Sequence, residues 1–159
     1  MKNAKRILAL FLASCMGCAI LTGCGGSESA EQIAQEKREA YFEITEEINN
    51  GDYEAAEASI KEQYGNVEYS LSSDGVNKMN IYRYFYDKQE MYEEEMNVLL
   101  EFIQSCDFKN ILATEEVSTE KEDVKYVIKC INETSEKVSD ETRNKAIEIV
   151  GQDILDSYK

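Results

Sequence analysis

Apolar residues recur every three or four positions from about residue 30 onward, and this spacing predicts amphipathic helices. The first helix is expected over Ala30–Asn49. Its apolar positions are Ile33, Tyr41, Ile44 and Ile48, while its early part, Glu31–Arg38, is polar and is expected to project as a stalk. Asn50-Gly51 breaks this helix, and Asp52 can cap a second one that ends at Gly65-Asn66. The apolar face of the second helix carries Tyr53, Ala56, Ile60 and Tyr64.

The next segment, residues 67–71, alternates apolar and polar residues, as a short strand would. Because the sequence predicts no second strand to pair with it, an extended linker is favoured. Ser72-Ser73-Asp74 then offers caps for a third helix. Its apolar positions are Val76, Met79, Tyr82 and Tyr86.

The boundary after the third helix has two readings. Phe85, Tyr92, Leu99 and Cys106 recur every seven residues, so one long helix from Val76 to Ser105 is one of them. A turn near Asp87–Glu90, followed by a fourth helix, is the favoured one. It is favoured because a turn sequence found earlier in the chain recurs at this point.

The last part of the chain predicts two more helices after a loop or irregular region over Asp107–Glu116. Thr119 and Glu122 form a capping box for a fifth helix. Its apolar positions are Val124, Val127, Ile128 and Ile131. Ser139-Asp140 caps a sixth helix. Its stripe carries Ile147, Val150, Ile154 and Tyr158. Six amphipathic helices with short connections predict one all-α domain of antiparallel hairpins over residues 31–159.

The segment Asn50-Gly51-Asp52-Tyr53-Glu54-Ala55-Ala56 resembles the middle of a tetratricopeptide repeat, where a Gly-Asp-Tyr turn leads into a second helix. The resemblance implies stacked hairpins in which Ala56 is the small residue that allows close packing. Met91-Tyr92-Glu93-Glu94-Glu95-Met96 echoes this turn 39 positions later, so a break is expected before Met91. The chain departs from that family in its period, in its partial first-helix signature and in the missing proline.

The amino-terminal residues have the order of a secretory signal: Lys2, Lys5 and Arg6, then an uncharged apolar run over residues 7–21. The run ends in Leu21-Thr22-Gly23-Cys24, which resembles the lipobox of bacterial lipoproteins. The resemblance implies cleavage before Cys24, a diacylglyceryl group on its thiol and an N-acyl chain on the new terminus. The alternative is an uncleaved transmembrane helix, since about 20 apolar residues span a bilayer. Two glycines and the lipobox argue against it.

These features predict a signal peptide over residues 1–23, a flexible tether over residues 24–30 and a domain held on the extracytoplasmic side of a bacterial membrane by the lipid on Cys24. Three of the 17 basic residues and none of the 32 acidic ones lie in the signal, so 14 basic and 32 acidic residues remain, a formal charge of −18. This charge repels phosphate and anionic headgroups. Nucleic acid is therefore not an expected partner.

The residue inventory restricts the chemistry. The chain has no histidine, which removes the commonest general base and the usual zinc ligands. No phosphate-binding loop, no Gly-x-Ser-x-Gly elbow and no calcium loop occurs, so no catalytic residue, metal or other cofactor is predicted. The densest carboxylate clusters are Glu46-Glu47 and Glu93-Glu94-Glu95. Neighbours on a helix point in different directions, which favours a solvated face for both clusters.

Two features remain as candidate sites. Cys106 and Cys130 are the cysteines that follow the lipobox, and outside the cytoplasm they can form a disulfide. Cys106 also continues an apolar series, as a small core residue would. Tyr82-Arg83-Tyr84-Phe85-Tyr86 covers every side of a helix, so it is either a core helix or presents Tyr82, Tyr84 and Tyr86 as a contact surface for peptide or glycan.

The expected function is a non-enzymatic, membrane-anchored module that binds an extracytoplasmic protein or peptide. A carboxylate-dependent hydrolase of cell-wall glycan is the alternative from a different class. An accessory lipoprotein of a transporter is a third.

Overall fold

The computed structural model of the chain describes residues 27–159, with side chains from residue 31 onward. The predicted signal, the lipobox and Cys24 lie outside the described residues. Eight helices follow one another in the described part, which contains no strand: α1 (Ser27–Asn50), α2 (Tyr53–Tyr64), α3 (Ser73–Lys88), α4 (Tyr92–Gln104), α5 (Phe108–Ala113), α6 (Thr119–Ser135), α7 (Asp140–Val150) and α8 (Gln152–Ser157). The predicted all-α class, built from packed neighbouring helices, is confirmed.

The first half of α1 differs from its prediction in two ways. The helix begins at Ser27, within the span predicted as a flexible tether. Residues 31–39 are exposed on every side of the helix, as expected for a stalk, so Ile33, predicted on the buried face, is 52% exposed. Polar contacts one turn apart, such as that from Gln35 to Glu39 (2.9 Å), support this segment instead of packing.

From Ala40 to Lys159 the chain forms one compact unit. Its main core is centred on α4 and α6, with contributions from α3, α5, α7 and α8. The largest fully buried side chains in this core are Met79, Met96, Leu99, Leu100, Phe102, Ile103, Ile128 and Ile131. Each such side chain contributes about 1.5–3 kcal/mol relative to an exposed one.

A second set of buried residues lies outside this main core, on α1, α2 and one side of α3. Its members are Tyr41, Ile44, Ile48, Ala56, Ile60, Tyr64, Ile81 and Phe85. The ring of Tyr53 meets that of Phe85 edge-on at 6.1 Å, and the Tyr53 hydroxyl donates to the carbonyl of Lys88 at 3.2 Å. Helix α3 therefore has apolar neighbours on two sides.

The predicted break near Asp87–Glu90 is confirmed, and its geometry repeats that of the α1–α2 turn. Gly51 and Glu90 both have positive φ, 78° and 58°. Asp52 (φ −85°, ψ 68°) and Met91 (φ −88°, ψ 66°), which follow them, share one conformation. The backbone N–H groups of Asp52 and Met91 each donate five residues back, at 2.9 and 3.0 Å. The two turns, which are similar in sequence at a spacing of 39 residues, therefore also share one backbone conformation.

The helix caps follow the prediction at three of four sites. The side chains of Asp52, Ser72 and Ser139 each accept a hydrogen bond from a backbone N–H three residues on. The capping box at Thr119 is wrong by one residue, because Ser118 is the cap and accepts from the N–H of Lys121 at 3.2 Å. The helix therefore begins one residue earlier than the capping box predicts.

Two predicted boundaries are wrong for reasons that involve the core. The region Asp107–Glu116, predicted as irregular, contains α5, whose Phe108 is buried in the main core. The predicted sixth helix is divided at Gly151, whose φ of 100° suits glycine alone. The new start of α8 brings Leu155 into the core.

Candidate functional site: a tyrosine face and a buried ion pair

The three tyrosines predicted as a contact surface do not share one face. Tyr82 and Tyr86 lie one turn apart on α3 with their rings stacked, 6.2 Å between centroids at an interplanar angle of 27°. Tyr84 lies elsewhere, and its hydroxyl donates to Asn49 Oδ1 on α1 at 2.6 Å. Phe85, between them, is buried. The aromatic run is therefore part core, part helix contact and part exposed surface.

A third tyrosine from the linker before α3 joins Tyr82 and Tyr86. Lys78 Nζ lies 4.7 Å from the ring centroid of Tyr69 and 6.0 Å from that of Tyr82. The same ammonium donates to the carbonyl of Val67 at 2.5 Å, which fixes the linker against α3. We call Tyr69, Tyr82 and Tyr86 the tyrosine face. Sequence reasoning missed Tyr69 because its segment was interpreted only as a connection.

The tyrosine face is half-buried. Its three rings pack against the main core yet remain partly open to solvent. Burial raises the pKa of all three phenols. Nearby carboxylates act in the same direction: Glu101 on Tyr69, and Glu57 and Glu94 on Tyr86. The hydroxyls therefore stay neutral at physiological pH and can both donate and accept hydrogen bonds.

A buried ion pair lies elsewhere on α3 and joins it to α4. Arg83 Nε is 3.1 Å from Glu95 Oε1, and the Glu95 side chain is 1% exposed. The Nε–H does not point at that oxygen, so the contact is an ion pair without a directed hydrogen bond. The expectation that Glu93-Glu94-Glu95 is a solvated face is therefore wrong for Glu95. Its position on α4 points it toward α3 and away from solvent.

Side chains of α6 complete the surroundings of this pair. Arg83 Nη1 donates to the hydroxyl of Tyr126 at 3.0 Å, and Thr134 lies beside the Glu95 carboxylate. Burial raises the pKa of Glu95, and the attraction of Arg83 offsets this only in part. Because Glu95 is closed to solvent and Arg83 is only 17% exposed, the pair can hold α3, α4 and α6 together.

Cys106 and Cys130 are free thiols in the structure, and the disulfide between them stays a prediction. Each thiol has its own surroundings. Cys106 Sγ donates to the carbonyl of Ile103 at 3.4 Å and packs against the main core, as expected for a small core residue. Cys130 lies beside Tyr126 and Arg83, and burial raises its pKa to about 11. A thiol with this pKa is a poor nucleophile at neutral pH.

A cavity of about 720 Å³ opens between α6, α7 and α8. Arg143, on its wall, already donates to the carbonyls of Ser135 and Val138 and to Asp140. Asn132 donates to the carbonyl of Leu155 at 2.8 Å. These polar groups hold the three helices together, whereas the exposed side chains of Glu133 and Glu136 also line the cavity.

No helix between residues 27 and 159 has both the length and the apolarity to cross a bilayer. The same residues contain no cluster of three or more His, Cys, Asp or Glu side chains arranged to hold a metal ion. Comparison of the chain with protein-family models, with curated proteins and with solved structures finds no match.

Proposed function

We propose that the chain is a lipid-anchored, extracytoplasmic helical module without enzymatic activity that binds a protein or peptide segment on its tyrosine face. The observation that carries this proposal is the convergence of Tyr69, Tyr82 and Tyr86, with two rings stacked and all three partly exposed.

Tyrosine suits such a surface for physical reasons. Its ring buries a large apolar area with few rotatable bonds, while its hydroxyl hydrogen-bonds to a partner, and tyrosine is enriched at protein interfaces. Tyr82 and Tyr86 stand on a helix whose other sides are packed, so little order has to be gained on binding. The contacts of Lys78 with the Tyr69 ring and with the Val67 carbonyl likewise hold Tyr69 in place before binding.

The anchor rests on the sequence Leu21-Thr22-Gly23-Cys24, outside the described residues. The net charge of the chain disfavours docking to anionic headgroups, which leaves covalent acyl chains as the means of attachment. A Cys24→Ser variant is expected to leave the membrane fraction or to keep its uncleaved signal. Mass spectrometry distinguishes a lipidated Cys24 terminus from an intact Met1. A wild-type protein that retains Met1 would contradict the anchor.

Site-specific photocrosslinking tests the binding surface in the native host. A photoreactive phenylalanine at position 82 or 86 is expected to give one discrete protein adduct. The matched control carries the same group at Tyr84, which belongs to the aromatic run but not to the tyrosine face. Equal adducts at positions 82, 84 and 86, or none at 82 and 86, would overturn this binding surface.

A further inference from the structure

The rim of the tyrosine face carries more carboxylates than available cations. Glu94 and Glu101 are both exposed on α4 and lie seven residues, or two turns, apart on the same side of that helix. Their charges act on the phenols of Tyr86 and Tyr69 respectively. Neither carboxylate forms an ion pair within the described part of the chain. Glu57, on α2, is the third acidic residue of this rim.

The two lysines of the same surface are already engaged. Lys61 Nζ lies 2.6 Å from Glu57 Oε1, so each neutralises the other. Lys78 has its ammonium directed at the Val67 carbonyl and at the rings of Tyr69 and Tyr82. The charges left for a partner at this surface are therefore those of Glu94 and Glu101. The formal charge of −15 on the whole chain has the same sign.

We propose that the occupant of the tyrosine face is an extended protein segment with basic side chains, whose ammonium or guanidinium groups lie against the tyrosine rings and pair with Glu94 and Glu101. This inference rests on the proposed function and adds the chemistry of the partner. Ring faces attract cations, and Lys78 already uses the rings of Tyr69 and Tyr82 in this way. Opposite charge at the rim speeds encounter and selects the partner.

The test measures binding of three fluorescent hexapeptides to the full-length protein in detergent. In these peptides lysine, glutamine or glutamate alternates with glycine. The lysine peptide is expected to bind more tightly than the glutamine peptide, and the glutamate peptide is expected not to bind. Tyr82→Leu with Tyr86→Leu is expected to weaken the lysine peptide about five- to tenfold, the range of a cation–ring contact.

A matched pair of variants separates local recognition from general attraction. Glu94→Gln with Glu101→Gln removes two charges at the rim, whereas Glu116→Gln with Glu120→Gln removes two exposed charges before and at the start of α6. The first pair is expected to weaken the lysine peptide several-fold more than the second pair. Equal effects of both pairs, or equal binding of the lysine and glutamine peptides, would overturn the inference.

The outcomes also separate this inference from the proposed function. Binding of the glutamine peptide that requires Tyr82 and Tyr86 would keep the tyrosine face as a peptide site and remove only its preference for basic segments. If no peptide binds while photocrosslinking at positions 82 and 86 still captures a protein, the basic-segment inference fails and the binding surface stands.

Discussion

The hairpins α1–α2 and α3–α4 have turns of the same conformation but bury different pairs of side chains beside these turns. A shift of 39 residues places Gly51 on Glu90 and Asp52 on Met91, which have matching backbone angles. The same shift places Ile60 on Leu99, and both are fully buried. The backbone plan and part of the apolar pattern are therefore common to the two hairpins.

The difference lies at two positions. Ile44 and Ala56 of the first hairpin are 1% and 0% exposed. The same shift places Arg83 and Glu95 at these positions in the second hairpin, where they form the buried ion pair. An apolar pair is stabilised by the exclusion of water alone. A charged pair also needs polar partners that offset the free-energy cost of its desolvation. The second hairpin meets this need from α6, through Tyr126 and Thr134.

The two pairs have different surroundings. Ile44 and Ala56 lie outside the main core, while Arg83 reaches to Tyr126 on α6. A charged pair accepts only a few orientations of its neighbours, so it can fix the position of α6 against α3 and α4 more specifically than apolar contacts do. Replacing it tests whether it serves stability or specificity.

Arg83→Met breaks the ion pair of the second hairpin and is expected to have the largest effect on stability. The variant leaves Glu95 buried without its cation, so a loss of about 3–5 kcal/mol in the free energy of unfolding is expected. Chemical denaturation measures it. Lys145→Met serves as the control, because Lys145 is exposed and forms no ion pair within the described residues. A loss under about 1 kcal/mol for Arg83→Met would show that the pair does not carry this stabilisation.

Arg83→Ile with Glu95→Ala copies the pair of the first hairpin into the second. We expect the double variant to regain most of the stability lost by Arg83→Met, because both buried charges are gone. A loss of order in α6 at retained stability, seen as broadened NMR signals of its residues, would assign the pair to specificity. A double variant that is as unstable as Arg83→Met would contradict the view that desolvation dominates.

The sequence predicted the features that depend on local spacing. The turn before Met91, the caps at Asp52, Ser72 and Ser139, and the face of α6 are all as expected. The caps and the face of α6 follow from neighbours within about four residues, which a single sequence displays. The turn before Met91 was predicted instead from its similarity to the turn 39 positions earlier. Phe108 and Leu155 were missed because distant core contacts, and not local periodicity, determine the short helices that carry them.

The candidate site was less predictable for the same reason. The aromatic run identified Tyr82 and Tyr86, but their separation from Tyr84 depends on which helices pack around α3. The burial of Glu95 could be inferred only by aligning the two turns, since this alignment places it on the small buried Ala56. Within its own segment, Glu95 is one of three consecutive glutamates and carries no distinguishing signal.

The stability losses caused by replacing two neighbouring glutamates of α4, Glu95 and Glu93, should change with pH in opposite directions. Burial raises the pKa of Glu95, so wild-type stability falls as the pH rises through the folded-state pKa of that carboxyl. Glu95→Gln lacks this fall. The loss of stability that it causes relative to wild type should therefore shrink as the pH is raised from about 4 toward 7. Urea denaturation at several pH values measures the trend.

Glu93→Gln is the matched control with the opposite sign. Hydrogen bonds from Thr142 and Ser139 lower the pKa of Glu93, and the backbone N–H of Ser139 donates to Glu93 Oε1 at 2.7 Å. The stabilisation from Glu93 is present above its unfolded-state pKa and is lost as the pH falls through its folded-state pKa. The loss caused by Glu93→Gln should therefore grow with rising pH. Parallel trends for the two variants would contradict the assignment.

The smallest expected effects come from the positive-φ positions of the two turns. Gly51→Ala places a Cβ at φ 78°, where it meets no atom within 4 Å, so only backbone strain opposes it. This strain costs about 1–2 kcal/mol and is partly offset by the lower entropy of the unfolded chain. A net loss of about 1 kcal/mol is expected in thermal or urea denaturation.

Glu90→Gly is the reciprocal change at φ 58°. It relieves the strain but frees the unfolded chain, and a gain under about 1 kcal/mol is expected. Because Glu90 is exposed, loss of side-chain contacts contributes little. If Glu90→Gly costs as much as Gly51→Ala, the two turns would not share one energetic basis, and their matching angles would reflect geometry alone.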